Sequence, residues 1–277
     1  MNQLVIEAVY FSPTGGTKTV IESIVAGLNE AKCSTIDLSN VNERDTFFSS
    51  FEQSAEDKDV FVIGMPVYFG KIPRFLMKEF EKIDGKGKRA IAVVIYGNRG
   101  FDIALNQLVS LLNERHFTVI GAGAFIGEHA LSSIFPIAVN RPDERDRSLA
   151  SEFGKRIAEA GDRLQPITAD DVPSKIDTLL RITPDAPPKP KVDLSKCIDC
   201  GICVQSCPMG ILSPETKRYR DKAAEKLCLG CMRCVKVCPQ GARTVHFSAL
   251  LKFLTDKLFL HDAITSRKEP YTLLKIS

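Results

Sequence analysis

Eight of the nine cysteines lie in two similar runs in the last third of the chain. The first run reads CIDCGICVQSCP over residues 197–208, and the second reads CLGCMRCVKVCP over residues 228–239. Both follow the pattern C-x₂-C-x₂-C-x₃-C-P. Three thiols spaced two residues apart on a tight turn converge on one point, and the proline after the fourth cysteine ends that turn. The spacing therefore predicts two sites where several thiolates bind one inorganic group.

This pattern resembles the ligand run of bacterial ferredoxins that carry two [4Fe–4S] clusters, in which the fourth cysteine of each run binds the other cluster. The resemblance implies one cluster bound by Cys197, Cys200, Cys203 and Cys238, and a second bound by Cys207, Cys228, Cys231 and Cys234. Zinc also binds C-x₂-C pairs, but a zinc site needs neither the third spaced cysteine nor the one before proline. Disulfides would suit a secreted chain. No apolar signal region follows Met1, so we expect a cytoplasmic protein.

A loop rich in hydroxyl groups and glycine follows the first predicted strand, residues 3–10. The loop reads FSPTGGT over residues 11–17, and residues 18–29 carry apolar side chains at helical spacing. A loop of this kind between a strand and a helix N-terminus predicts a phosphate site, because backbone amides face the anion there. It matches neither the Walker pattern nor G-x-G-x-x-G. Its candidate phosphate ligands are Ser12, Thr14, Gly15, Gly16 and Thr17.

Two further loops follow continuous apolar runs, residues 59–64 and 90–96, which are typical of parallel strands covered on both faces. The first loop contains Pro66, Val67, Tyr68, Phe69 and Gly70, and the second contains Gly97, Asn98, Arg99, Gly100 and Phe101. With strands at 33–38 and 117–126 and a last helix at 143–164, the order predicts an α/β fold with a doubly wound, five-stranded parallel sheet. Ligands bind at the carboxyl ends of such strands, where all three loops lie.

This arrangement resembles the flavodoxins, and it implies that residues 1–165 form an FMN-binding domain. The resemblance also implies that Tyr68, with Phe69 or Phe101, stacks on the flavin ring. Residues 97–100 would donate to its pyrimidine edge, and Arg99 would stabilise an anionic reduced flavin. The segment GAGAFIG at 121–127 lacks the spacing and position of a dinucleotide fingerprint. The long loop at 128–143 is either a lid over the flavin or an ordinary surface loop.

The rest of the chain divides by composition. Residues 166–190 contain six prolines and predict an extended linker, interrupted by a short helix near residues 174–181. Residues 191–247 hold both cysteine runs and predict a small α+β ferredoxin-like domain. Residues 248–277 carry leucines at helical spacing, which predict an amphipathic helical tail that packs on its own domain. Docking onto the flavin domain, a second copy or a membrane surface are the alternatives.

Composition limits the classes of partner. The 277 residues are 44% hydrophobic and 26% charged, and no apolar run reaches the roughly eighteen residues of a membrane span. The net charge of +3 divides into −5 for residues 1–185 and +8 for residues 186–277. Two oxidised clusters with their thiolates carry about four negative charges, which reduces the basic excess. We therefore expect no nucleic-acid binding, and the asymmetry favours docking of the two halves or an acidic redox partner.

Together the two halves resemble flavodoxin–ferredoxin fusion proteins of anaerobic bacteria and archaea. The resemblance implies an electron carrier that passes electrons between FMN and two [4Fe–4S] clusters, with redox proteins as partners and a homodimer as a candidate assembly. The alternative is an FMN-dependent oxidoreductase that reduces a quinone or small molecule with NAD(P)H or reduced ferredoxin. The four histidines are scattered along the chain, and we predict no role for them.

Overall fold

The computed structural model describes residues 4–28, 32–175 and 187–277. The predicted apolar runs form strands β1 (Val5–Tyr10), β2 (Lys32–Asp37), β3 (Val60–Pro66), β4 (Arg89–Tyr96) and β5 (Thr118–Ile126). These five strands are parallel and lie in the order β2-β1-β3-β4-β5. This is a doubly wound order that reverses between β1 and β3, and a ligand crevice is expected beside that reversal. The predicted fold class is confirmed.

Helices cover both faces of this sheet. They are α1 (Gly16–Gly27), α2 (Val41–Ser49), α3 (Phe51–Ser54), α4 (Arg74–Phe80), α5 (Ala104–Glu114) and α6 (Glu144–Ala160). The apolar sides of α1 and α6 form one core with the sheet, and α2 to α5 form the other. An added Cβ at Gly27 or Gly154 would overlap the backbone of the facing helix. These two glycines therefore let α1 and α6 lie in direct backbone contact.

The cysteine-bearing part is a small α+β domain. Its elements are β6 (Lys191–Val192), α7 (Ile202–Gln205), α8 (Lys222–Lys226), α9 (Arg233–Lys236) and β7 (Arg243–Thr244). Strands β6 and β7 pair antiparallel. The buried Arg243 side chain donates to the backbone carbonyls of Pro190 and Lys217. This arginine therefore ties the start of the domain to its middle, where few apolar side chains are available.

The tail is not wholly helical, and that prediction is wrong. It begins as α10 (Ala249–Leu254), continues as a π-helical turn (Thr255–Leu260) and α11 (His261–Thr265), and ends as β8 (Tyr271–Leu273). Strand β8 pairs antiparallel with β5 and adds a sixth strand to the described sheet. The physical reason is the free edge of β5, whose backbone groups need hydrogen-bond partners.

The expected packing of the tail on its own domain is also wrong. Leu260 and Ala263 are buried against Phe135 and Ile137 of the N-terminal domain. The leucines of the predicted stripe are instead exposed, namely Leu250, Leu251, Leu254 and Leu258. Helical spacing predicts an apolar face, but it does not specify the surface on which that face packs.

The linker falls partly outside the described residues, and so does nearly all of the short helix predicted near residues 174–181. Within the described part of the chain, the helices are too short or too polar to cross a membrane.

Candidate functional site

A cavity of about 300 Å³ lies at the carboxyl ends of β1, β3, β4 and β5. Most of the predicted cofactor ligands line it, namely Thr14, Gly16, Thr17, Pro66, Val67, Tyr68, Phe69, Gly70, Gly97, Arg99 and Gly100. The three loops identified in the sequence therefore meet at one place. Its volume falls in the range of small-molecule and cofactor sites.

The loop between β1 and α1 presents backbone amides to this cavity. The Ser12 hydroxyl is buried and accepts a hydrogen bond from the Lys18 amide at 2.9 Å. Gly15, immediately before α1, has a φ of 93°, a conformation that favours glycine. The amides of Gly16 and Thr17 have no acceptor among the described residues, as expected at a helix N-terminus. These open amides at the cavity wall fit a phosphate group. Ser12 and Gly15 fix the conformation of the loop without lining the cavity.

The loop after β3 makes a tight turn at the cavity. Tyr68 and Lys71 exchange two backbone hydrogen bonds of 2.9 and 3.0 Å, and Phe69 and Gly70 have φ values of 52° and 74°. Positive φ at both central residues is typical of a type I′ turn. An added Cβ at Gly70 would lie 2.7 Å from Asp102 Oδ2. The turn thus holds two aromatic rings at the cavity wall. Burial raises the pKa of Tyr68 well above its usual value, and nearby cysteine thiolates add to this effect.

The loop after β4 is held from behind by Asn98, whose side chain is buried. Its Nδ2 donates to the backbone carbonyls of Ala263 and Ser266, each at 2.7 Å. Its Oδ1 accepts a hydrogen bond from Arg141 Nη1 at 3.2 Å. The Asn98 side chain therefore faces the tail, and the neighbouring glycines present their backbone to the cavity.

Arg99 and Phe101 occupy different surroundings. Arg99 lines the cavity and forms an ion pair with Asp102. Phe101 instead packs on Tyr96 and Tyr271, with ring centroids 5.5 and 5.8 Å apart, and it does not line the cavity. The position predicted for Phe101 is therefore corrected, because the sixth strand draws its ring toward Tyr271. Tyr68 and Phe69 remain the aromatic candidates for stacking.

The loop after β5 forms a wall of the cavity through residues 127–131. Its His129 ring packs so closely on Gly97 that no Cβ would fit there. The His129 Nδ1 accepts a hydrogen bond from the Leu131 amide at 3.1 Å, so the neutral ring carries its proton on Nε2. Burial, with smaller effects of Arg99 and Lys236, lowers the pKa of His129 to about 4. The position of the loop favours the lid alternative. The sequence gave no signal for the role of His129, because a single histidine in a loop forms no pattern.

The remaining wall comes from the end of the linker, the cysteine-bearing domain and the tail, and the sequence analysis did not identify its residues. These residues are Pro187, Pro188, Leu229, Gly230, Cys231, Thr255 and Leu260. They reach the cavity because the two domains dock, and the charge asymmetry that favours docking does not specify which residues meet.

Hydrogen bonds between described residues join the cysteine-bearing domain to the N-terminal domain. Lys236 Nζ donates to Glu128 Oε1 at 2.8 Å, and Arg44 Nη1 donates to the Pro208 carbonyl at 2.9 Å. The Arg233 guanidinium donates to the carbonyl of Pro13, which belongs to the loop between β1 and α1. Burial would raise the pKa of Glu128, but hydrogen bonds from Lys236 and Ser132 outweigh it and lower that pKa. The carboxylate is therefore charged and paired across the domain boundary.

The cysteines line two further cavities. One is lined by Cys197, Cys200, Cys203 and Cys238, and the other by Cys207, Cys228, Cys231 and Cys234. These are the two ligand sets that the ferredoxin resemblance implies. Among the residues that the structure describes, no three potential ligands converge closely enough for a single metal ion. Four thiols around a cavity suit a multinuclear cluster.

Hydrogen bonds reach cysteine sulfurs in both ligand sets. The Ala242 amide donates to Cys238 Sγ at 3.2 Å, and the Tyr219 hydroxyl donates to Cys228 Sγ at 3.4 Å. Hydrogen bonds to the ligating sulfurs are one of the factors that set the reduction potential of an iron–sulfur cluster. The two ligand sets therefore differ in their hydrogen bonding.

The fold and these cavities define a redox protein of the flavin and iron–sulfur class. Residues 8–132 match the family described as NADPH-dependent FMN reductase, and residues 196–243 match the 4Fe–4S dicluster domain. The chain is a flavodoxin-like domain followed by a 4Fe–4S dicluster domain, as its resemblance to the flavodoxin–ferredoxin fusion proteins predicted.

Several solved structures are similar to the chain. A flavodoxin from the domain Archaea is 18% identical, with 56% of this chain and 97% of that chain covered and a TM-score of 0.41. The rubredoxin oxygen:oxidoreductase of Desulfovibrio gigas is 14% identical, with 58% and 36% covered and a TM-score of 0.42. A flavone reductase is 17% identical, with 57% and 62% covered and a TM-score of 0.44. The chain thus spans less than two thirds of the last two proteins, and no curated protein matches it significantly.

Proposed function

We propose that this protein is an electron carrier that passes electrons between FMN and two [4Fe–4S] clusters. The observation that carries the proposal is the cavity itself, which combines the three flavodoxin-type loops with Cys231 of the second cysteine run. A flavin in this cavity would lie against a cluster ligand. Close approach of this kind speeds electron transfer, and it is unnecessary for a domain that only stabilises the fold.

The cofactors supply the redox chemistry, since FMN carries two electrons and each cluster carries one. The chain supplies binding and orientation. The open amides at the start of α1, with the hydroxyls of Thr14 and Thr17, hold the phosphate. The turn at Tyr68 and Phe69 positions the ring, and the backbone of residues 97–100 donates to its pyrimidine edge. Arg99, at the cavity wall, would stabilise negative charge on the reduced ring.

We propose that the eight cysteines form two clusters with the ligand sets named above. Each set lines its own cavity, which supports this assignment. The proposed domain division is residues 1–165, a linker at 166–190, the cluster domain at 191–247 and the tail at 248–277. We further propose a cytoplasmic protein whose donor and acceptor are separate redox proteins, with a homodimer as its candidate assembly.

The decisive experiment is anaerobic purification with counts of flavin, iron and sulfide, followed by redox titration. We expect about one FMN and about eight iron atoms per chain. Photoreduction of the flavin should then reduce the clusters within the same molecule. Clusters that stay oxidised while the flavin is reduced, although dithionite reduces them, would contradict the electron-carrier proposal.

A second function is an FMN-dependent oxidoreductase that reduces a quinone or small acceptor with NAD(P)H or reduced ferredoxin. The match of residues 8–132 to the NADPH-dependent FMN reductase family favours it. The polar groups of Glu128 and His129 at the cavity wall could also orient a small substrate. Anaerobic mixing with NADPH distinguishes the two functions, because rapid NADPH oxidation favours the enzyme and an unchanged NADPH absorbance favours the carrier.

A further inference from the structure

The two cluster cavities are not equivalent in their relation to the flavin cavity. The cavity of Cys207, Cys228, Cys231 and Cys234 shares two lining residues with the flavin cavity, Leu229 and Cys231. The cavity of Cys197, Cys200, Cys203 and Cys238 shares none with it. Cys231, a cysteine of the second run, thus lies with Leu229 in the walls of both the flavin cavity and one cluster cavity.

The interdomain hydrogen bonds come from the same side of the cysteine-bearing domain. Arg233 and Lys236, both on α9 within the second cysteine run, bond to Pro13 and Glu128 of the N-terminal domain. Pro208, which accepts a hydrogen bond from Arg44, directly follows Cys207. Arg233 lies between Cys231 and Cys234, Pro208 follows Cys207, and Lys236 lies two residues after Cys234. They therefore hold that cluster site against the flavin loops.

The other ligand set faces away from this interface. Cys200 is exposed, and the neighbouring Leu194, Ile198 and Ile202 are also exposed. Helices α7 and α9 pack against each other, so the two cluster sites are neighbours. The three sites therefore follow one another in space. The flavin cavity comes first, the site of Cys207, Cys228, Cys231 and Cys234 lies beside it, and the site of Cys197, Cys200, Cys203 and Cys238 lies farther out at the surface.

We propose that the cluster of Cys207, Cys228, Cys231 and Cys234 is the proximal cluster, the one that exchanges electrons with FMN. The cluster of Cys197, Cys200, Cys203 and Cys238 is the distal cluster, and it exchanges electrons with proteins outside. This order rests on the proposed electron-carrier function and adds a spatial order of the cofactors to it. When bound, fully reduced FMN would supply two electrons, one for each cluster, and its two protons would pass to solvent.

The experiment compares variants that remove one cluster each. Cys234→Ala removes a proximal ligand and Cys200→Ala removes a distal one, and neither thiol lines the flavin cavity. The flavin is photoreduced anaerobically, and cluster reduction is followed by electron paramagnetic resonance after freezing at increasing times. Iron content and the flavin spectrum are measured on the same samples. Dithionite reduction shows in each variant that the remaining cluster is redox-active.

We expect Cys200→Ala to retain rapid reduction of its remaining cluster by the flavin. In Cys234→Ala the flavin should no longer reduce the remaining cluster, although dithionite does. Flavin-driven reduction at the wild-type rate in Cys234→Ala would overturn the order while leaving the carrier function intact. An absence of exchange in the wild-type protein with all cofactors bound would overturn both.

A second variant keeps all eight cysteines, in case loss of a ligand unfolds the domain. The double substitution Arg233→Ala with Lys236→Ala removes two interdomain hydrogen bonds. Flavin-to-cluster transfer should slow by about tenfold, because the docked fraction falls when these charged contacts are lost. Iron content and the resonance spectrum of the dithionite-reduced clusters should stay unchanged. The matched control is Arg218→Ala with Lys222→Ala, on an exposed part of the same domain, and it should transfer at the wild-type rate. Equal rates in the two double variants would overturn the proposed docking of the proximal cluster.

Discussion

The two cysteine runs share their spacing and most of their backbone geometry, yet they lie in different surroundings. Asp199 and Gly230 are equivalent residues with φ values of 59° and 66°. Gly201 and Met232 are also equivalent, at 73° and 60°, and each precedes a four-residue helix. The motif therefore builds the same ligand turn twice, with glycine at different positions in the two copies.

The difference lies in the residues between the cysteines. Ile202 of the first run is exposed, whereas the equivalent residue of the second run is Arg233, which bonds to the N-terminal domain. Gln205 is likewise replaced by Lys236, which bonds to Glu128. The comparison teaches that the cysteines determine the cluster sites, while the residues between them determine which site docks against the flavin cavity.

The largest expected effect is the loss of iron when one ligand in either run is replaced. Cys197→Ser and Cys228→Ser replace the first cysteine of each run, and each should remove about half of the iron, because the two thiolates belong to different ligand sets in the proposed assignment. Iron and sulfide analysis of anaerobically purified protein measures this. Cys33→Ser is the control, because Cys33 lies in β2 and outside both runs. This variant should retain all the iron. Full iron retention in either cluster variant would refute the ligand sets.

The next effect concerns the equivalent positions 199 and 230. An added Cβ at Gly230 would lie 2.7 Å from Pro187 Cβ. Gly230→Ala should therefore lower the free energy of unfolding by about 2–3 kcal/mol, combining the left-handed backbone with the overlap. Gly241→Ala is the control, because φ there is 57° and nothing lies within 4 Å of an added Cβ. It should cost only about 1 kcal/mol in anaerobic denaturant titration. Equal losses would show that close approach of the linker to the second run contributes nothing.

Substitution of Tyr68 tests the N-terminal domain's side of the flavin cavity. Tyr68→Ala should weaken FMN binding by about tenfold, or about 1.4 kcal/mol, through loss of aromatic stacking. Fluorescence titration of the flavin-depleted protein measures the affinity, and the visible spectrum reports the ring environment. Phe101→Ala is the control, because Phe101 packs beside the cavity without lining it. Unchanged affinity and spectrum in Tyr68→Ala would contradict the role proposed for Tyr68.

The smallest effect concerns pH. The pKa of His129 is about 4 in the folded protein against an ordinary value of 6.5, so on acidification the unfolded chain takes up the proton first. The stability due to the neutral ring is fully present above pH 6.5 and is lost as the pH falls toward 4. His129→Gln should therefore reduce the loss of stability between pH 7 and pH 5 by about 1 kcal/mol, allowing for its partial exposure. Thermal unfolding at both pH values measures this.

The wild-type protein is the reference for the pH effect. An equal loss of stability between the two pH values in His129→Gln and in the wild-type protein would mean that burial of His129 beside Gly97 is not the cause.

Local patterns were sufficient for the parts of the protein that depend on neighbours in the sequence. The five apolar runs formed the five parallel strands, and the loops at residues 11–17, 65–71 and 97–101 met at one cavity, because carboxyl ends of parallel strands share one edge. The same patterns did not predict the position of the Phe101 ring, the place of His129 at the cavity wall or the strand at the end of the tail. In each case the outcome depends on a partner far along the chain, such as the pairing of Tyr271–Leu273 with β5.

The sequence by itself determined two cysteine runs of one spacing, a doubly wound sheet and a phosphate-type loop, because spacing and hydrophobic periodicity act over a few residues. Only the tertiary structure decided that the second cysteine run, and not the first, lies against the flavin cavity. That choice depends on hydrogen bonds from Arg233 and Lys236 to residues more than one hundred positions away. It also depends on a glycine at position 230 that admits the linker. No periodicity encodes such contacts, because they form only after both domains have folded and docked.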